Sequence, residues 1–201
     1  MARKPAPGTH DRILDIAERL FYEHGVRAVG LQQVIDECGC GKNLLYREFA
    51  SKDDLVVAYL ERRGRDWTAM VDEATRPLAG DPAGQLVAIV RAAAAQVAAA
   101  GYRGCPFHNT HAEFPDAAHP AHQVSVAHRA EVRERLHGLA EQAGARDPGT
   151  LADRILLIID GMYTTGAVLG GHAAATAAVE FAEEVVHAAT RPPLATATAR
   201  T

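Results

Sequence analysis

The stretch LQQVIDECGCGKNLLYREF, Leu31–Phe49, decides the fold. It reads as two short helices, about Leu31–Cys38 and Lys42–Phe49, separated by Gly39-Cys40-Gly41. That is the length and glycine content of a helix-turn-helix corner. Gly39 can take the left-handed conformation that ends the first helix, and Gly41 can cap the second. In the second helix Leu45 and Phe49 lie i, i+4 apart and point inward, so the opposite face shows Asn43 and Arg47, flanked by Leu44 and Tyr46. Asn, Arg and Tyr can donate to phosphates or base edges, which is what a helix lying in a DNA groove needs. Lys42 falls in the first turn, beside helix-end amides that favour a phosphate.

Outward from this corner the chain reads as helix nearly throughout. Ile13, Ile16, Ala17, Leu20 and Phe21 repeat at i, i+3, i+4, i+7 and i+8, one amphipathic helix that begins at Thr9, read as its N-cap, and stops at Gly25. Ser51 caps a long helix from Lys52 to Arg76, ended by Pro77, and Gly80-Asp81-Pro82 opens another that runs to Ala100. Pro106, Pro115 and Pro120 leave room for one short helix after Gly101. Three long helices follow, about His119–Ala143, Thr150–Val168 and Ala173–Thr190. Strand-like runs bounded by hairpin signals are missing, so the class is all-α. The expected division is a three-helix domain with the helix-turn-helix over residues 1–50, a domain of six further helices over 51–191, and a disordered tail over 192–201. Residues 1–8 read as a flexible arm.

Bulk properties exclude several functions. A formal charge of -4 over 201 residues argues against a nonspecific nucleic-acid coat or an anionic-membrane binder. The first 50 residues balance seven basic against seven acidic side chains, but between Gly39 and Lys52 the cations Lys42, Arg47 and Lys52 face only Glu48. Cys38, Cys40 and Cys105 are three cysteines without a C-x-x-C pair, no disulfide framework. A redox sensor built on them is the least favoured reading, because no neighbouring base pattern marks a depressed thiol pKa. No apolar run is long enough to span a bilayer, and no signal-peptide pattern follows Met1, so a soluble cytoplasmic protein is expected. Ser51 and Ser125 are the only serines, neither in a nucleophile-elbow context, and there is no Gly-rich phosphate loop. No enzymatic activity and no cofactor are expected, and an all-helical enzyme is the weak alternative.

Thr9 to Leu55, THDRILDIAERLFYEHGVRAVGLQQVIDECGCGKNLLYREFASKDDL, closely resembles the N-terminal signature of the TetR/AcrR family of transcriptional regulators. The match lies in Leu20-Phe21, Gly25, Gly39, Lys42, Leu45-Tyr46, Phe49 and Ser51-Lys52. The resemblance implies a repressor that binds a palindromic operator as a homodimer and leaves it when a small lipophilic effector binds. It implies DNA contacts from Gln32, Gln33, Lys42, Asn43, Leu44, Tyr46, Arg47 and Lys52. It places Trp67, Tyr102, Phe107, Phe114 and Tyr163 around an effector chamber, with His108, His111 and His128 as its polar groups. It also implies that residues 51–191 are a ligand-binding and dimerisation domain. The helix Thr150–Val168 carries more apolar surface than one core-facing stripe requires, which puts the dimer interface on the last two helices, at Leu151, Ile155, Ile158, Met162, Thr165 and Phe181. Some positions depart from the family pattern: Gly30 replaces a Ser or Thr cap, Ile35 an Ala, Cys40-Gly41 a Val-Ser and Asn43-Leu44 a Gly-Thr. The last change alters the base-facing surface, so no relative's operator can be inherited.

Six of the ten histidines fall between His108 and His137. His108 and His111 stand i, i+3, with Cys105 upstream and Glu113 downstream, and a metal-binding sensor is the alternative reading of that region.

Overall fold

The computed structural model describes residues 8–191, which form nine α-helices and no strand. These are α1 (Thr9–His24), α2 (Leu31–Cys38), α3 (Lys42–Glu48), α4 (Lys52–Thr75), α5 (Pro82–Ala98), α6 (Pro106–Glu113), α7 (Pro120–Gln142), α8 (Pro148–Leu169) and α9 (Gly171–Thr190). A 3₁₀ turn, Arg76–Leu78, follows α4. The flexible arm and the tail read from the sequence lie outside the described residues, apart from Gly8.

Boundaries move where capping chemistry outranks apolar periodicity. Gly8 is the N-cap of α1, and Thr9 is instead its buried first residue. The carboxylate of Asp147 accepts the Thr150 amide at 2.9 Å, so α8 starts at Pro148, two residues before the position expected. Asp81 does the same for α5 through the Gly84 amide. Ser51 caps α4 as expected: its Oγ accepts the Asp54 amide at 3.0 Å and donates to the Asp54 carboxylate at 2.8 Å. Gly39 ends α2 at φ 62, and Gly30 and Gly41 cap α2 and α3 with no side chain to help.

The chain packs as two compact units. One runs to Met70 and includes Arg103–Glu131, and the other joins Val71–Tyr102 to the chain from Val132 onward. The first unit thus contains α1–α3 together with α6. Its core takes Ile13, Leu20 and Phe21 from α1, Val34 and Ile35 from α2, Leu45 and Phe49 from the α3 region, and Leu55, Tyr59 and Leu60 from α4. Phe107 of α6 belongs to the same cluster. Arg62 on α4 pairs with Asp11, Asp15 and Glu18 of α1, and Arg63 with Glu18 at 2.8 Å. Arg19 pairs with Glu37, joining α1 to α2.

In the second unit α5 packs against both α8 and α9, which also pack on each other. Leu86, Ile89 and Val90 of α5, Leu151, Ile155 and Ile159 of α8, and Ala182 of α9 are buried there. A Cβ on Gly171 would overlap the Val97 carbonyl, so the α8–α9 corner can lie this close to α5 only with glycine. Among the described residues no helix is long and apolar enough to cross a membrane.

Candidate functional site

The α3 surface is built by alternation along one short helix. Leu45 is fully buried and Phe49 nearly so, and this fixes the rotation of α3 about its axis. Lys42, Asn43, Tyr46 and Arg47 are consequently exposed. The Lys42 ammonium lies 5.8 Å from the Tyr46 ring centroid, within cation–π range. Arg47 Nε stands 3.7 Å from the Glu48 carboxylate. His10 of α1 stacks on Phe49 at 4.6 Å between ring centroids, covering the end of α3.

Other residues expected at this surface are differently placed. Gln33 is exposed on the first turn of α2, and Gln32 donates to the Asp36 carboxylate at 2.8 Å. Leu44 is half-buried and packs on the core of the unit, which leaves it little to present to a groove. Lys52 is half-buried as well: its Nζ donates to the Arg27 carbonyl at 3.5 Å, and burial lowers its pKa against the pull of Glu113 and Asp53. Ile35, the departure inside α2, is accommodated as a core residue.

The residues expected around a chamber fall into separate groups. Trp67, Phe107 and His128 come together: His128 stacks on Phe107 with centroids 3.7 Å apart and meets Trp67 edge-on at 5.6 Å. Burial, with Arg129 adding to it, lowers the His128 pKa to about 4, so its imidazole is neutral near neutrality. Gly64 of α4 lies beside this group, its position within van der Waals reach of His128 and Phe107. His108 Nε2 lies 2.7 Å from an Arg129 guanidinium nitrogen. Phe114 instead stacks on His119 at 4.2 Å and carries the Arg27 guanidinium 5.3 Å over its ring, while His111 packs beside His122. Tyr102 and Tyr163 pair with each other at 6.2 Å within the second unit.

The histidine-rich segment does not gather as a metal centre. Among the described residues no group of three or more His, Cys, Asp or Glu side chains is placed to hold an ion. Glu113, read from the sequence beside these histidines, is bonded to backbone: its carboxylate accepts the amides of Val26 at 3.0 Å and Arg27 at 2.6 Å. No periodicity or spacing signals a contact across 87 positions, and Tyr22, which bonds Arg103 and Gly104, was silent for the same reason. Cys38 and Cys40 are buried, and burial pushes the Cys40 thiol up to about 11, away from the reactive thiolate.

On the second unit, α8 and α9 form an apolar groove lined by Leu157, Ile158, Met162, Thr165, Phe181 and Val185 among others. Leu157 is 69% exposed and Phe181 55%, large apolar areas with nothing over them in the protomer. Leu151 and Ile155, expected at an interface, are buried in the protomer's own core and have no surface to offer a partner. Leu157, one position before the expected Ile158, is the exposed residue that periodicity missed.

Comparison with known proteins bears on the chain as a whole. The family model described as bacterial regulatory proteins, tetR family, matches residues 13–59. Over 55 residues the chain is 42% identical to an uncharacterized HTH-type transcriptional regulator of Mycobacterium tuberculosis, the match covering 27% of each protein. An HTH-type transcriptional regulator of Staphylococcus aureus is 38% identical over 60 residues, 30% of this chain and 32% of that protein. The whole fold is similar to the crystal structure of a TetR-family transcriptional regulator from Streptomyces coelicolor. That likeness has a TM-score of 0.86 and 30% identity, over 91% of this chain and 96% of that one. A putative TetR transcriptional regulator from Streptomyces avermitilis is similar at a TM-score of 0.79 and 26% identity, over 92% and 99% of the two chains.

Proposed function

This chain belongs to the TetR family of DNA-binding transcriptional regulators, and from that premise we propose that it is a repressor. It binds a palindromic operator as a homodimer and leaves it when a small lipophilic effector binds. The observation that carries this reading is the presentation of Lys42, Asn43, Tyr46 and Arg47 from a helix anchored by Leu45 and Phe49. Arg47 and Asn43 are suited to base edges, and Lys42 and Tyr46 to phosphates. Gln33 contacts backbone phosphate from the start of α2. One seven-residue helix reads too few base pairs for useful specificity. Two copies related by a two-fold axis read both half-sites, about 34–36 Å apart, and account for operator palindromy. The apolar α8–α9 groove supports the homodimer.

The effector reading rests on Trp67, Phe107 and His128, an aromatic group whose one titratable ring stays neutral near pH 7. A predominantly apolar site with few polar groups favours lipophilic ligands. Any such ligand must bind the DNA-incompetent state better than the competent one, since equal affinity shifts nothing.

Selection of duplexes from a randomised pool by the full-length protein tests the DNA reading. An enriched palindrome supports it, and a pool left unenriched overturns it. Trp67 is the only tryptophan, so its emission reports directly on compounds entering the aromatic group. A screen of small lipophilic compounds should yield some that shift Trp67 emission and release the selected duplex. If all that shift the emission leave duplex affinity unchanged, the effector reading fails.

A further inference from the structure

We infer that Glu113 is a positioning residue, through which the last turn of α6 sets the α1–α2 turn of the DNA-binding helices. Gly25 ends α1, its amide donating to the Phe21 carbonyl at 2.9 Å. Past this point the amides of Val26 and Arg27 have left the helical ladder and need acceptors from elsewhere. Both oxygens of one carboxylate supply them: Oε1 takes the Val26 amide and Oε2 the Arg27 amide. Hydrogen bonds to an ionised acceptor are stronger than neutral ones, and two on one planar group fix direction as well as distance.

Two further observations tie the same turn to the end of α6, and a third ties it to α4. Gly25 sits at φ +87, and a Cβ there would come within 3.2 Å of Glu113 Oε1, so the carboxylate lies against bare backbone. The Arg27 side chain lies over the ring of Phe114, next along the chain from Glu113. The Arg27 carbonyl accepts from Lys52 at the start of α4. The front of the same segment is held too. Tyr22 Oη accepts the Arg103 amide at 2.8 Å and donates to the Gly104 carbonyl at 3.3 Å, and Arg103 Nε donates to the Tyr22 carbonyl at 3.1 Å. Residues 103–114 are thus fastened at one end to α1 and at the other to the α1–α2 turn, in line with α6 belonging to the same unit as the DNA-binding helices. The turn held by Glu113 leads into Gly30, the N-cap of α2, which offers no side chain of its own to secure the helix start. Loss of the carboxylate frees the turn, and with it the register of α2 and α3 against α1.

The proposal rests on the DNA reading only for its second measurement. Amide hydrogen exchange of the full-length protein, without DNA, follows Val26 and Arg27 in wild type, Glu113→Ala and Glu113→Gln. Both amides should exchange about 10-fold faster in Glu113→Ala, with Glu113→Gln between because its NH2 group replaces one of the two accepting oxygens, and α9 amides unchanged. Affinity for the duplex selected by wild type should fall about 10-fold in Glu113→Ala and less in Glu113→Gln. If Glu113→Ala does not fold, the glutamine variant carries both measurements. Unchanged exchange at Val26 and Arg27 overturns the proposal. Faster exchange with unchanged duplex affinity also overturns it, because Glu113 would then cap a turn without positioning anything. If wild type enriches no duplex, the DNA reading fails on its own and exchange alone decides whether Glu113 holds the turn.

Discussion

Phe107 and His128 lie face to face, their ring planes within 13° and their centroids 3.7 Å apart. The stack joins α6 to α7 and holds an imidazole where charging it is unfavourable. In the unfolded chain His128 titrates near 6.5, and in the folded protein near 4. The unfolded state therefore binds more protons between these values, and stability falls as pH drops from about 6.5 to about 4 and levels off below. His128→Phe keeps a ring on the stack and removes this dependence. Urea midpoints at pH 7 and pH 5 should drop more for wild type than for the variant. Equal drops would assign the acid sensitivity elsewhere.

Gly25 and Gly39 both adopt positive φ, for different surroundings. Gly39→Ala meets no neighbour within 4 Å and costs only backbone strain, about 1 kcal/mol. Gly25→Ala adds a close approach to Glu113 and should cost more, about 2 kcal/mol in all. Denaturant titration that ranks Gly39→Ala as the more damaging would contradict the crowding at Gly25.

Neighbouring positions on α3 should give opposite phenotypes. Lys42→Ala or Tyr46→Ala should weaken binding to all duplexes alike, because phosphate contacts carry no base information. Asn43→Ala should relax base preference at one position of each half-site, a change of about 1–3 kcal/mol in discrimination. Leu45→Ala should instead lower stability by about 2–5 kcal/mol through a cavity. The check is parallel selection and thermal melting on the four variants. Wild-type duplex affinity in an Asn43/Tyr46 double alanine variant would refute the α3 assignment.

Leu157→Glu and Phe181→Glu each place a carboxylate on the exposed wall of the α8–α9 groove. Both should give folded monomers in light scattering at micromolar concentration, with poor duplex binding. Ile155→Ala should act differently, destabilising the protomer by about 2–5 kcal/mol, since that side chain is fully buried within it. A wild type already monomeric under the same conditions would rule out the interface.

The sequence alone determined the local structure of this protein. Helix identity and order followed from apolar spacing, the Gly39 corner from left-handed backbone, and the exposed face of α3 from Leu45 and Phe49 at i, i+4. These features depend on interactions between residues a few positions apart, so a linear reading reaches them. The apolar surplus of α8 was legible in the same way, but its direction was not. Periodicity cannot tell a face buried against α5 and α9 from one left open, so Ile155, expected at the interface, is buried, and Leu157, given no role by the sequence reading, is exposed. Tertiary structure also decided how the candidate chamber residues are grouped, with Phe107 and His128 stacked and Phe114 turned to His119 and Arg27. It alone brought Glu113 to the amides of Val26 and Arg27. A carboxylate accepting backbone amides leaves no side-chain pattern at the donor end, because every residue but proline carries the same N–H.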